Sequence, residues 1–213
     1  MKYWVLGAAF VGVCVWMVFA AGRPQGSERL YSIWSAAHYN QDLARLHDLT
    51  EGPTAAYSAG RTLSGEQAQA LEEGREVARR RTAYEPRACG PAFLLANIEQ
   101  ALGNADEAGR NYHQALLLIP KSTGDQNLRQ TEAHIRFNLG WHYYNRNEFS
   151  KAELYADSAV ELQHNSSLYH TAAARIKMRL NKRADARELV EHALEIDPED
   201  AAAKELAERL DGG

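Results

Sequence analysis

From Cys89 onward the chain repeats itself, and a repeat constrains the fold more tightly than any single motif. Three windows of 34 residues align: 89–122, 133–166 and 167–200. The second and third are contiguous, whereas ten extra residues, 123–132, separate the first from the second. Each window reads as helix, short turn, helix, with Gly103-Asn104, Arg146-Asn147 and Asn181-Lys182 in the turns. A unit of this size cannot bury its apolar face alone, so successive units must stack and share one core. Ala, Leu, Glu, Arg and Gln are abundant and β-branched residues are sparse after residue 22, which favours helix throughout.

Small and large residues recur at fixed places within the windows. The first carries Leu95-Ala96, Ala108, Tyr112, Ala115 and Pro120. The second carries Leu139-Gly140, Tyr143, Ala152, Ala156 and Ala159, with His164 where the others have proline, and the third Ala173-Ala174, Ala186, Val190, Ala193 and Pro198. This pattern resembles the tetratricopeptide-repeat (TPR) family, over about half of the chain and most strongly in the second window. The resemblance implies an all-α, right-handed solenoid in which Ala108, Ala152 and Ala186 let the two helices of a unit approach closely. Two places depart from the family. Position 4 holds Ala92, Arg136 and His170 instead of a large apolar residue, and position 11 holds Glu99 and Lys177 in the outer windows. Residues 201–213 read as a polar capping helix and tail, with Leu206 and Leu210 facing inward.

Ahead of the repeats, residues 3–22 form an uncharged run long enough, at about 1.5 Å per residue, to span a bilayer core. A single transmembrane signal anchor over 1–22 is the expectation; the alternative is a signal peptide cleaved after Val18-Phe19-Ala20. Lys2 on the short leading tail favours the N-terminus inside. That places a single-pass protein in the cell inner membrane with its soluble domain in the periplasm. Residues 23–88 read as a helical linker region, with a degenerate repeat as the other reading. Leu30, Ile33, Trp34 and Ala37 begin an apolar stripe, and Ser64 with Gln67 has capping-box spacing for a helix running to about Tyr84.

The formal net charge is −4 and no stretch is strongly basic, so nucleic acid is not an expected partner. Arg75, Arg79, Arg80, Arg81 and Arg87 sit among Glu72, Glu73, Glu76 and Glu85, as on an ion-paired helix face. Of two cysteines, Cys14 lies in the hydrophobic run and Cys89 far beyond it, and neither has a CxxC partner. Eight histidines include no HxxxH or HExxH pair, and surface or groove positions are expected for most. No nucleophile elbow or phosphate-binding loop occurs. The expectation is a non-enzyme without cofactor or metal: a membrane-anchored scaffold that binds protein partners and supports assembly of an envelope or membrane complex. An accessory subunit of a membrane enzyme is the reading from another class.

The TPR resemblance implies a concave groove lined by the first helix of each unit, able to take a peptide segment or helix. Carried over, its residues are Phe93, Asn97 and Gln100 in the first unit. The second supplies His134, Phe137, Trp141, Tyr144 and Asn145, and the third Leu168, Thr171, Arg175, Met178 and Arg179. Phe137 and Trp141 have core packing between units as the competing reading. Arg175 and Arg179 are expected to flank the aromatic stripe. The carboxylate clamp of some family members matches at Asn97 and Asn138, but its three cationic positions fall on Phe93, Leu168 and Ala172. Without those cations, chaperone-tail capture by the clamp is not expected.

Overall fold

Five of the six helices in the three repeat windows follow the pattern of alanines and turn residues almost to the position. The computed structural model describes residues 49–50, 62–120 and 125–212, all within the compact unit Leu49–Gly213. The run 3–22 and the stripe starting at Leu30 lie outside them. The helices are α1 (Gly65–Tyr84), α2 (Cys89–Ala101), α3 (Ala105–Leu117), α4 (Gln126–Asn145), α5 (Phe149–Leu162), α6 (Ser167–Arg179), α7 (Arg183–Ile196) and α8 (Ala201–Asp211). No described helix is long and apolar enough to cross a membrane.

Local chemistry sets the ends. Ser64 and Gln67 form the capping box of α1, the Ser64 side chain accepting from the Gln67 amide and the Gln67 side chain from the Ser64 amide. The first helices of all three units stop in the same way. Gly103, Asn147 and Asn181 each hold a left-handed φ, +82°, +60° and +60°. Glycine and asparagine tolerate that conformation best, and it turns the chain into the second helix.

Each first helix packs on its own second helix, α2 on α3, α4 on α5 and α6 on α7, and the pairs then stack in chain order. Ala108, Ala152 and Ala186 are fully buried at these contacts. At Gly140 a Cβ would lie 3.5 Å from the Ala152 carbonyl oxygen, so α4 and α5 touch backbone to backbone. Leu206 and Leu210 of α8 close the last unit over Ala174, Ala186 and Val190.

The structure revises one expectation and refines another. Residues 126–132 are not a separate insertion: they extend α4 toward its N-terminus by two turns, because Asp125 caps the Asn127 amide and no breaker follows. Most described histidines lie at or near the surface, but two do not. His142 is buried against Gly109, where a Cβ would come within 2.9 Å of Nε2, and its Nδ1 hydrogen-bonds Gln100 Oε1 at 2.9 Å. Burial, with Arg146 second, holds His142 below the usual histidine range. His170 is buried too, its Nδ1 bonded to the Ser166 carbonyl.

The departures at position 11 prove to be junction contacts. Glu99, only 1% exposed, accepts from Arg79 of α1 at 3.1 Å. Tyr143 bonds His113 of α3 at 2.8 Å, and Lys177 donates to Asp157 of α5 at 2.7 Å. Counted back by one window, Arg79 stands at position 25, as do His113 and Asp157. So α1 meets α2 as α3 meets α4 and as α5 meets α6. Leu49 and Thr50, both helical, lie against Gly74 of α1, with Thr50 Cγ2 3.0 Å from the site of a Cβ.

Candidate protein-binding face

Helical spacing lines up the aromatic residues of α4. Phe137, Trp141 and Tyr144 fall four and three apart and so share one face. Trp141 stands edge-on to both neighbours, with centroids 6.4 Å from Phe137 and 5.1 Å from Tyr144. The line runs on into α5, where Phe149 packs edge-on to Tyr144 at 5.5 Å. At its other end Phe137 meets Tyr169 of α6 at 5.1 Å, and Tyr169 meets His134 at 5.9 Å.

Two arginines from α6 lie on this line, four residues and hence about one turn apart. The Arg175 guanidinium sits over the Trp141 ring, 5.7 Å from its centroid. That of Arg179 sits over Phe149 at 4.8 Å and reaches Tyr144 at 6.0 Å. Each contact contributes about 0.5–1 kcal/mol at an exposed site. Phe137, Trp141 and Tyr144 are half-buried and Arg179 is exposed. The rings therefore serve the inter-unit contact while keeping a solvent-facing edge, so the groove and core readings of Phe137 and Trp141 are not exclusive.

Other candidate residues serve the interior. Thr171 is 5% exposed and its hydroxyl donates to Asp200 at 2.9 Å, which removes it from any open face. Asn97 accepts from the Tyr112 hydroxyl at 2.8 Å, and Gln100 is engaged by His142. Phe93 packs against Tyr112 and His134, and Met178 against the α7–α8 core. Asn138 donates to the carbonyl of His134, one turn back on its own helix. His134 and Asn145 are exposed, and Leu168 is 55% exposed. The exposed candidates thus lie on α4 and α6, while Thr171 and Met178 of α6 and the candidates on α2 are largely committed to internal contacts. Sequence reasoning missed Phe149, whose only signal was its place just past the inter-helix turn, and Tyr169, which is buried beneath the ring line.

The basic cluster of α1 is ion-paired: Arg75 with Glu72, Arg79 with Glu76 and Glu99, Arg81 with Glu85. Among the described residues no three His, Cys, Asp or Glu side chains converge as metal ligands. Cys89 is a half-buried free thiol.

This helical array is similar to several solved structures. A chain in the crystal structure of the APC/C hetero-tetramer Cut9-Hcn1 superposes with a TM-score of 0.60 at 20% identity, over 66% of this chain and 26% of that one. This chain thus spans about a quarter of that protein's length. MamA 41-end from Desulfovibrio magneticus RS-1 gives 0.59 at 11% identity, over 79% and 84% of the two chains. The first TPR of Spaghetti (RPAP3), bound to the HSP90 peptide SRMEEVD, gives 0.51 at 18% identity, over 58% and 90%. No curated protein matches the chain. These likenesses show the fold alone. Residues 167–200, the third window, match the family model "Tetratricopeptide repeat", which together with the shared fold supports reading the described helices as an array of that repeat family.

Proposed function

We propose that the protein is a membrane-anchored scaffold whose TPR array binds a segment of a partner protein on the face formed by α4 and α6. The carrying observation is the row Phe137, Trp141, Tyr144 and Phe149, bordered by Arg175 and Arg179 and open to solvent along one edge. Aromatic residues beside arginine make binding hot spots, because flat rings bury much area and lose little entropy on contact. The Spaghetti domain, which holds a peptide, lends support to peptide capture here. TPR folds typically serve as non-catalytic interaction scaffolds. In this reading residues 3–22 hold the protein in the inner membrane with the array in the periplasm, and capture supports assembly of an envelope or membrane complex. The segment 23–88 contributes the second helix of a degenerate repeat, a view supported by the α1–α2 contact at Glu99. Cleavage after Val18-Phe19-Ala20 would give the same array as a free periplasmic protein.

Crosslinking pull-down from native membranes tests the face, with circular dichroism to check folding. Trp141→Ala and Arg175→Ala should each cut capture yield, and Arg175→Ala should leave the helical signal unchanged. Capture at wild-type yield by both folded variants overturns the proposal. For the anchor, the protein should resist carbonate extraction, and its N-terminal mass should include residues 1–22. Release by carbonate, or a mass beginning near residue 21, would favour the cleaved form.

A further inference from the structure

Most cations of the repeats are already engaged by carboxylates. Arg110, Arg136, Arg146, Lys151, Lys177 and Lys182 each hold one within 4.0 Å. Arg175 and Arg179 hold none among the described residues and stand over rings instead. A guanidinium seated on a ring has its flat face satisfied and its N–H fork free, and that fork matches a carboxylate in two-point geometry. Two such forks, on side chains that leave α6 one helical turn apart, present paired donors along the ring line.

We infer that this face reads acidity: the segment it takes from a partner protein carries two carboxylates, one for Arg175 and one for Arg179. Alternate residues of an extended chain put two carboxylates on one side, as do residues one turn apart in a helix. The inference rests on the proposed binding face and adds the chemistry of its occupant. It places the anion site away from the family's clamp positions, where Phe93, Leu168 and Ala172 offer no charge. A polyanion such as nucleic acid suits the face poorly, because the chain as a whole carries −4 and only these two cations on the ring line are uncommitted.

The test uses the full chain, purified in detergent, and a phage-displayed library of random twelve-residue peptides. Peptides selected on the wild type should be enriched in Asp or Glu pairs two, three or four residues apart. A synthetic copy of a selected peptide, read by fluorescence anisotropy, should bind at least about tenfold more weakly when both acids are changed to Asn or Gln. Arg175→Ala and Arg179→Ala should each weaken it about tenfold with the helical signal intact. Selected peptides without acids, or equal binding by the amide version, overturn the inference. If Trp141→Ala still abolishes their binding, the binding face survives that result. A library that yields no binder, or binders indifferent to Trp141→Ala, overturns the face as well. Self-association in light scattering that disappears in the Arg175→Ala, Arg179→Ala double variant would assign the acids to a second copy and overturn the partner-protein assignment.

Discussion

The first and third junctions of the array are the same device with the charges reversed. Where α1 meets α2, two arginines, Arg75 and Arg79, converge on one buried acid, Glu99. Where α5 meets α6, two acids, Glu153 and Asp157, converge on one mostly buried base, Lys177. The residues occupy equivalent places, positions 21 and 25 of a second helix and position 11 of the next first helix. The middle junction uses the same places without full charges: Gly109 at position 21 makes room for His142, and His113 at position 25 bonds Tyr143. One stacking geometry therefore accepts three chemistries, and the sign of charge decides which helices can stand side by side. Docking α6 on α1 would set Lys177 against Arg75 and Arg79, so the order of units is written into the pairs.

The sharpest way to break this comparison is to reverse one sign. Lys177→Glu puts three carboxylates together where two met an ammonium. Lys182 stays on Glu153 and Asp157 is partly exposed, so the change should cost about 3 kcal/mol, the low end for breaking a buried pair, read as a fall in the urea midpoint. Stability within about 0.5 kcal/mol of wild type would mean that the pairing does not hold the junction. Building the first junction's chemistry into the third is the complementary experiment. Adding Glu153→Arg and Asp157→Arg to Lys177→Glu should recover about 2 kcal/mol of that loss. Recovery stays incomplete because Lys182, which donates to Glu153 at 2.7 Å, loses its partner. No recovery would show that the two junctions are not equivalent.

At the middle junction, Gly109→Ala places a methyl 2.9 Å from His142 Nε2. Overpacking of about 2 kcal/mol is offset by about 1 kcal/mol of helix propensity, leaving a net loss of about 1 kcal/mol. A stabilised variant would mean that the imidazole yields freely. The junctions should also respond to different pH windows. His142 is held below its ordinary 6.5 by burial first and Arg146 second. As pH drops below 6.5 the unfolded chain takes up a proton that the folded chain refuses. The stability present above 6.5 is therefore lost progressively down to the folded value, at no more than about 1.4 kcal/mol per pH unit. At Glu153 burial raises the carboxyl, but Lys177 and Lys182 outweigh it and hold it below 4.5. Its contribution is intact above 4.5 and fades only as pH falls through that lower value. Urea titrations of wild type and His142→Phe at pH 7.0 and 5.5 separate the two, and equal losses in both chains would clear His142.

What the sequence disclosed, and what it hid, follows from where the information sits. The capping box at Ser64, the alanines at Ala108, Ala152 and Ala186, and the turns at Asn147 and Asn181 are local signals, and each could be read within one window. That Arg175 and Arg179 would flank the aromatic stripe was read from spacing within two first helices plus the stacking that the family resemblance implies; which ring each guanidinium covers was not. Position 11 was opaque because Glu99 and Lys177 make sense only beside residues 20 to 24 places earlier, on another helix. His142 could not be singled out for a similar reason: a buried imidazole needs the space left by Gly109, 33 residues back. The extension of α4 was hidden by alignment itself, since residues outside a repeat window look like a linker even when Asp125 offers a cap.

Asp200 has a consequence for how the array comes apart. Its carboxylate caps α8 through the amides of Ala202 and Ala203 and also accepts from Ser167 and Thr171 at the start of α6. Burial would raise this carboxyl, yet these hydrogen bonds hold it below the usual range. A linear stack frays from its ends, because an end unit has a neighbour on one side only. With one carboxylate gripping two helices, α8 cannot peel away without unfastening the base of α6. The last three helices should therefore open as a single cooperative block, and their amides should exchange with solvent at one common free energy.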